Sequence, residues 1–233
     1  MVSFICSLWG DKYSPEYVQK LHNAVKRYYD GEFKFYCQTD RELNITGVEE
    51  LPFLHFLPVN TGRFPVKAKV NLWKPAGWGI TGRKVYLDLD ILISGKLNPI
   101  IDSYKDKPLI AKSWWQDKYG INEEENNYLA YRGIVNSSII VWEDSDYTRE
   151  IWECFEKYNR YIFFCCINGQ DGYLSSMHLD KFDFIPHKYV ASYHNEPIEG
   201  ASIILFDTKR NHITYGTQSE LHELKGLIKD MWV

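Results

Sequence analysis

The chain opens on a run of strand formers, Val2 to Leu8, which breaks at the turn Trp9-Gly10-Asp11-Lys12-Tyr13. Apolar positions then recur at steps of three and four. Val18, Leu21, Val25 and Tyr28 predict a helix packed on one face, with Ser14 as N-cap, Pro15 at its first position and Gly31 as its stop. A second strand is expected from Phe33 to Cys37, ending in Gln38-Thr39-Asp40. Strand, helix, strand is the opening of a doubly wound α/β sheet, whose ligands bind beyond the carboxyl ends of its strands. The loop 7–13 and Thr39-Asp40 then share one rim, where Asp40 either caps a turn or touches a ligand.

Further along, Pro52 and Pro58 flank a short apolar strand through Leu54 and Phe56. Pro65 starts a helix from Val66 to Trp73. On a wheel of about 100° per residue, Val66, Val70 and Trp73 fall together and Ala68 joins Leu72 on the adjoining arc. Lys69 falls between those arcs, while Lys67, Asn71 and Lys74 gather on a solvated side. Lys69 is therefore either a snorkelling lysine or a cation directed at Asp88, Asp90 or a phosphate. A strand is expected over Pro108–Ala111. The polar, aromatic loop from Ser113-Trp114-Trp115-Gln116 through Asn122–Asn127 has the length of a lid or an ordinary surface excursion. Asn136-Ser137-Ser138 leads into strand Ile139–Trp142. Asp144 or Ser145 then caps a long helix with the stripe Ile151, Phe155, Tyr158 and Ile162. After Gly169-Gln170-Asp171-Gly172, Tyr173, Leu174 and Met177 suggest a shorter helix. A last strand, Ser202–Phe206, and an amphipathic helix from about Ser219 close the chain.

The centre of this pattern is Arg83-Lys84-Val85-Tyr86-Leu87-Asp88-Leu89-Asp90-Ile91-Leu92-Ile93, a buried strand interrupted by two acids. Alternation puts Asp88 and Asp90 on one side, roughly 6–7 Å apart at about 3.3 Å per residue. Two such carboxylates repel unless a cation lies between them or the strand ends in a solvated cleft. Magnesium or manganese shared with substrate phosphates relieves that repulsion, because these hard cations take few protein ligands.

At 233 residues the chain suits one domain. Aromatics reach 16%, enough for some to line a cleft that favours flat ligands such as sugars and bases. A net charge of -4 gives no basic footprint for nucleic acid. The 5 cysteines are odd in number and lack a Cys-x-x-Cys pair, which argues against a disulfide framework or zinc site and for a reducing compartment. With no signal peptide and no membrane-spanning run at hand, a soluble cytosolic protein is expected.

Read together, these pieces resemble the GT-A glycosyltransferases, in particular the group akin to glycogenin and the bacterial galactosyltransferases of lipopolysaccharide synthesis. Ser7-Leu8-Trp9-Gly10 with Tyr13 looks like the family's nucleotide-binding first loop, and Tyr36-Cys37-Gln38-Thr39-Asp40 like its second strand end. Ala68-Lys69-Val70-Asn71-Leu72-Trp73 resembles the helix whose basic residue faces the nucleotide. Val85-Tyr86-Leu87-Asp88-Leu89-Asp90 is similar to the Asp-x-Asp strand, Asn136-Ser137-Ser138 to the Asn-Ser-Gly/Ser turn, and Gly169-Gln170-Asp171 to the Asp-Gln-Asp element near the donor sugar.

The resemblance implies a single GT-A (Rossmann-like) domain over 1–233, with a central mixed, mostly parallel sheet flanked by helices. About 1–95 would form the nucleotide-binding half and about 96–233 the acceptor side. The implied activity is transfer of a sugar from a UDP-sugar to a hydroxyl of a glycan-type acceptor, with retention, assisted by Mn2+ or Mg2+. Ser7, Leu8, Trp9, Tyr13, Thr39, Asp40, Lys69, Asp88, Leu89 and Lys209 would hold the donor, and Asp171 and Asn136 would act at the reacting sugar. Asp88 and Asp90 would hold the metal. One departure stands out: the family's histidine after the last strand, in a His-x-Gly-x-x-Lys-Pro-like segment, is replaced by Asp207, and its glycine is missing. Asp207 or a displaced His212 completes the metal site, or Lys209 and Arg210 neutralise the diphosphate with the metal weak or absent. Two other readings remain: a catalytically silent sugar-nucleotide or glycan-binding module on the same fold, and a sugar nucleotidyltransferase, whose glycine-rich phosphate loop is missing because Gly10 stands alone.

Overall fold

A computed structural model describes residues 1–54, 65–114, 134–165, 169–193 and 197–206, with side chains except at 65–68 and 159–165. The expectations for Phe56, Pro58, the 115–127 loop, Ile162, Asp207, Lys209, Arg210, His212 and the helix from Ser219 lie outside what it describes. A 7-stranded sheet forms the centre, in the order β3-β2-β1-β4-β7-β6-β8. Its strands are β1 (Val2–Leu8), β2 (Phe33–Thr39), β3 (Val48–Leu51), β4 (Lys84–Leu87), β6 (Leu109–Lys112), β7 (Val135–Trp142) and β8 (Asp183–Phe184). A 3-stranded sheet, β5-β10-β9, joins β5 (Ile91–Ile93), β9 (Val190–Ser192) and β10 (Ile203–Leu205). In the large sheet β3, β2, β1 and β4 run in parallel, β7 runs against both β4 and β6, and β8 runs with β6.

Strict alternation of side chains builds a core on each face. Phe4, Cys6, Leu8, Phe35, Cys37, Val85, Leu87, Ile139 and Val141 point one way, against α1 (Pro15–Tyr28) and the small sheet. Ile5, Tyr36, Tyr86, Ile140 and Trp142 point the other way. There they meet the 3₁₀ helix Pro65–Trp73 and two further helices, α3 (Asp146–Cys165) and α4 (Gly169–Met177); α2 (Asn98–Ile101) is a single turn.

Several expectations are corrected. α1 ends because Tyr29 turns extended (φ -116, ψ 122), not through a left-handed Gly31. Gly31 is small for another reason: a β-carbon there would lie 2.8 Å from the Tyr29 ring. The edge strand falls at Val48–Leu51, ahead of Pro52, and Leu54 sits in a bend. Segment 65–73 winds as 3₁₀, at about three residues per turn, and α3 and α4 both pack on it. Asn71 is therefore fully buried, where an α-helical wheel leaves it in water.

The central strand also divides. β4 stops at Leu87, and Asp88-Leu89-Asp90 is the turn that carries the chain from the large sheet into β5 of the small one. The two acids therefore stand on a turn at a sheet end, not along one face of a continuous strand. Asn136–Ser138 lies inside β7, at an irregularity where Ile110 pairs with Ile140 but Ala111 with Asn136. Ile151 and Phe155 of α3 are buried as expected, but Tyr158 is 45% exposed at a kink (φ -121), and Met177 is 40% exposed. Ser145 caps α3 through Thr148, whereas Asp144 pairs with buried Lys84 at 2.7 Å. Among the described residues no helix is long and apolar enough to cross a membrane.

Candidate functional site

The turn after β4 places Asp88 opposite the segment 65–73, which brings Lys69 over it. Lys69 Nζ donates to Asp88 Oδ2 at 2.7 Å and lies 3.3 Å from Ser137 Oγ. Tyr86, two residues back in β4, donates its hydroxyl to Asp88 Oδ1 at 2.8 Å. The main-chain N–H of Asp88 donates to Ser138 O at 2.9 Å, so β7 holds the turn from the side. Asp171, in the first turn of α4, accepts from the Ser137 N–H at 2.9 Å. The end of β4, the start of β7 and one helix start thus converge on a single lysine.

Asp90 faces the other loop. It accepts from the Tyr13 hydroxyl at 2.6 Å and has Lys12 Nζ at 3.8 Å, so the first loop is tied to the acid pair. A second tie joins that loop to the end of β2. Gly10, left-handed at φ +61, donates its N–H to Asp40 Oδ2 at 3.1 Å, and Arg41 spans Asp40 (2.8 Å) and Gly10 O (2.6 Å). Asp40 thus bridges two loops. The bond from Arg41 holds its carboxyl below the usual carboxylate range.

The charges are unevenly balanced. Burial pushes the Lys69 ammonium down, but Asp88 and Asp171 outweigh it and hold it above the ordinary lysine value. Burial and then the neighbouring Asp88 carboxylate push Asp90 up, despite Tyr13 and Lys12. Burial likewise raises Asp171, offset in part by Lys69 and Ser137. Three carboxylates around one ammonium leave a site that favours added positive charge.

Not every predicted residue presents a side chain here. Leu8 and Leu89 are buried in the core, leaving only main-chain groups for a ligand. Ser7 is buried and donates to Gln38 Oε1 at 3.1 Å. Thr39 Oγ1 accepts from the Arg41 N–H at 3.3 Å. Trp9 is half-buried with its ring edge against Phe53, 6.3 Å between centroids. Asn136 Oδ1 accepts from the Ser138 N–H at 2.9 Å within the β7 irregularity.

No family model and no curated protein matches the sequence. Solved structures do match the fold. Galactosyltransferase LgtC, determined with donor and acceptor sugar analogues, superposes with a TM-score of 0.62 at 11% identity, over 93% of this chain and 93% of that one. The glycosyltransferase GlyE of Streptococcus pneumoniae TIGR4 follows at 0.55 and 11%, over 94% of this chain and 59% of that one. Mouse xyloside xylosyltransferase 1 gives 0.53 and 9%, over 88% and 97%. This chain has the GT-A fold.

In this GT-A frame the acid turn, Lys69 and Asp171 all sit at the carboxyl-end rim of β1, β2 and β4. Sequence reasoning passed over Tyr86, Lys12, Arg41 and the main chain of Ser137. A signal existed only for Tyr86, which stands two residues before Asp88 in the sequence. The others depend on contacts between distant segments. Among the described residues no group of three His, Cys, Asp or Glu side chains is placed to hold a metal ion. The pair Asp88 and Asp90 does fit a hard cation in chemistry: two oxygen donors, close enough that one carboxylate disfavours ionisation of the other.

Proposed function

We propose that the protein transfers a sugar from a nucleoside diphosphate sugar, with uridine diphosphate as the carrier, to a hydroxyl of a glycan-type acceptor. The observation that carries this reading is the gathering of Asp88, Asp90 and Asp171 around Lys69 at the carboxyl-end rim of a GT-A sheet. The transfer breaks the bond from the anomeric carbon to the diphosphate, whose oxygen keeps the electron pair. The acceptor oxygen forms the new bond and gives up its proton. Charge therefore develops in two places, negative on the diphosphate and positive on the sugar. Lys69 serves the first and Asp171 the second. Asn136 offers its amide to sugar hydroxyls.

Ser7, Trp9, Tyr13, Thr39 and Asp40, with the main chain of Leu8 and Leu89, form the nucleoside side. Asp88 and Asp90 would hold Mn2+ or Mg2+, which when bound neutralises the diphosphate. Asp207 would supply a third ligand. In support, β10 runs antiparallel to β5 with Leu205 opposite Ile91, so the chain leaves β10 on the Asp90 side. Lys209, two residues further, adds positive charge for the phosphates. The product keeps the donor's anomeric configuration.

A panel of sugar nucleotides, each with and without manganese and with candidate acceptors, tests the reading by release of nucleoside diphosphate. Release with at least one uridine diphosphate sugar is expected, lost in Asp90→Ala. A protein that neither binds nor turns over any member of the panel would falsify it.

A further inference from the structure

We propose that Tyr86 is a positioning residue: its hydroxyl fixes the Asp88 carboxylate in the orientation in which it meets the donor diphosphate and its cation. The proposal rests on the glycosyltransferase reading above. Tyr86 is only 1% exposed, yet it carries a hydroxyl into the core. A buried phenol is unfavourable unless it finds a partner. Its partner is Asp88 Oδ1, at 2.8 Å.

The ring does a second thing. Lys69 Nζ lies 5.2 Å from its centroid, so Tyr86 touches both members of the Lys69–Asp88 pair, one through its hydroxyl and one through its face. On the neighbouring strand β1, the Ser7 hydroxyl donates to Gln38 Oε1 at 3.1 Å. Gln38 is fully buried. The Ser7–Gln38 bond ties the ends of β1 and β2, and the Tyr86–Asp88 bond holds the end of the adjoining β4.

The consequence is a carboxylate with little freedom. Tyr86 holds Oδ1, Lys69 holds Oδ2, and Ser138 holds the main chain of the same residue. Such an arrangement is set before a ligand arrives, so less ordering is left to the binding step. Outer partners of metal-ligating carboxylates have this effect generally, and their loss lowers metal affinity or activity about 10- to 100-fold.

Calorimetry with uridine diphosphate and Mn2+ tests the proposal on four proteins: the parent, Tyr86→Phe, Asp88→Asn and the double variant, with melting temperatures recorded for each. Tyr86→Phe keeps the ring and is expected to stay folded while manganese-dependent nucleotide affinity falls about 10- to 100-fold. In the Asp88→Asn background the same change is expected to have no further effect, because the hydroxyl acts through Asp88. Unchanged affinity in Tyr86→Phe would overturn the proposal. So would an equal loss in both backgrounds, which marks a general packing effect. A parent that binds no uridine diphosphate, with or without manganese, overturns the donor reading and this proposal with it. A parent that binds it but is indifferent to Tyr86→Phe overturns this proposal alone.

Discussion

Lys69 stands between two carboxylates in a half-buried setting, so deleting its charge acts on stability and on binding together. Its side chain is 13% exposed and that of Asp88 19%, which places the pair between surface and interior. Lys69→Met leaves the Asp88 charge uncompensated and is expected to lower stability by about 2–4 kcal/mol. Adding Asp88→Asn removes the stranded charge and is expected to recover most of that loss while donor binding stays weak. Denaturant midpoints and nucleotide affinities measured together decide this; a double variant that binds donor like the parent would remove both groups from the site. Asp171 divides more sharply. Asn at 171 keeps an oxygen for the Ser137 N–H, so Asp171→Asn is expected to lose at most about 1 kcal/mol of stability. Donor affinity should stay near the parent's while turnover falls by orders of magnitude. Near-parental turnover would return Asp171 to a purely structural place.

Among the elements, α1 and α3 were legible because each carries an amphipathic stripe, opened by Pro15 in α1, whose Ser14 makes no side-chain cap bond, and by a side-chain cap in α3. Ser145 and Thr148 exchange side-chain and main-chain bonds at the start of α3, a local pattern that needs no tertiary partner. Segment 65–73 was legible in place but not in winding. Over nine residues, periods of 3.0 and 3.6 pick out nearly the same apolar positions, and only the helices packed on it decide between them. The turn that follows carries strain. Ala76 is left-handed (φ 50, ψ 27) and donates its N–H to Asp144 Oδ2 at 3.2 Å. A β-carbon is unfavourable there, and glycine keeps the N–H. Ala76→Gly is therefore expected to raise stability by up to about 1 kcal/mol, read as a higher Tm. A lower Tm would show that the alanine methyl contributes more than the strain removes.

At the scale of the whole molecule, pH acts through a histidine far from the acid turn in sequence. His178 is buried, its Nε2 2.9 Å from the Tyr173 hydroxyl, which in turn donates to Ile151 O at 2.7 Å and ties α4 to α3. The imidazole is neutral, with Nε2–H as donor. Burial lowers its pKa to about 4 from an ordinary 6.5. Between those values the unfolded chain binds the proton more readily than the folded one. The histidine's contribution is thus fully present above about pH 6.5 and is lost as pH falls toward 4, to the extent of roughly 2–3 kcal/mol. His178→Gln is expected to flatten that limb of the stability profile. An unchanged profile in the variant would assign the acid sensitivity to other groups.

Local rules determined much of this protein. The runs of strand formers located β1, β2 and the core of β7, and the strand, helix, strand opening located the ligand rim, because side-chain period and turn residues are properties of neighbouring residues. The acid pair was visible for the same reason: two carboxylates in an apolar run need an explanation. Contacts between distant segments were not visible. That β4 breaks at Asp88 and continues into another sheet depends on β10 pairing with Ile91–Ile93 from more than a hundred residues away. That Lys69 reaches Asp88, Tyr13 reaches Asp90 and Asp171 meets Ser137 depends on which helix covers which face. Charges and hydroxyls carry no periodicity that names their partners, so burial chose them, and only the folded chain states where burial falls.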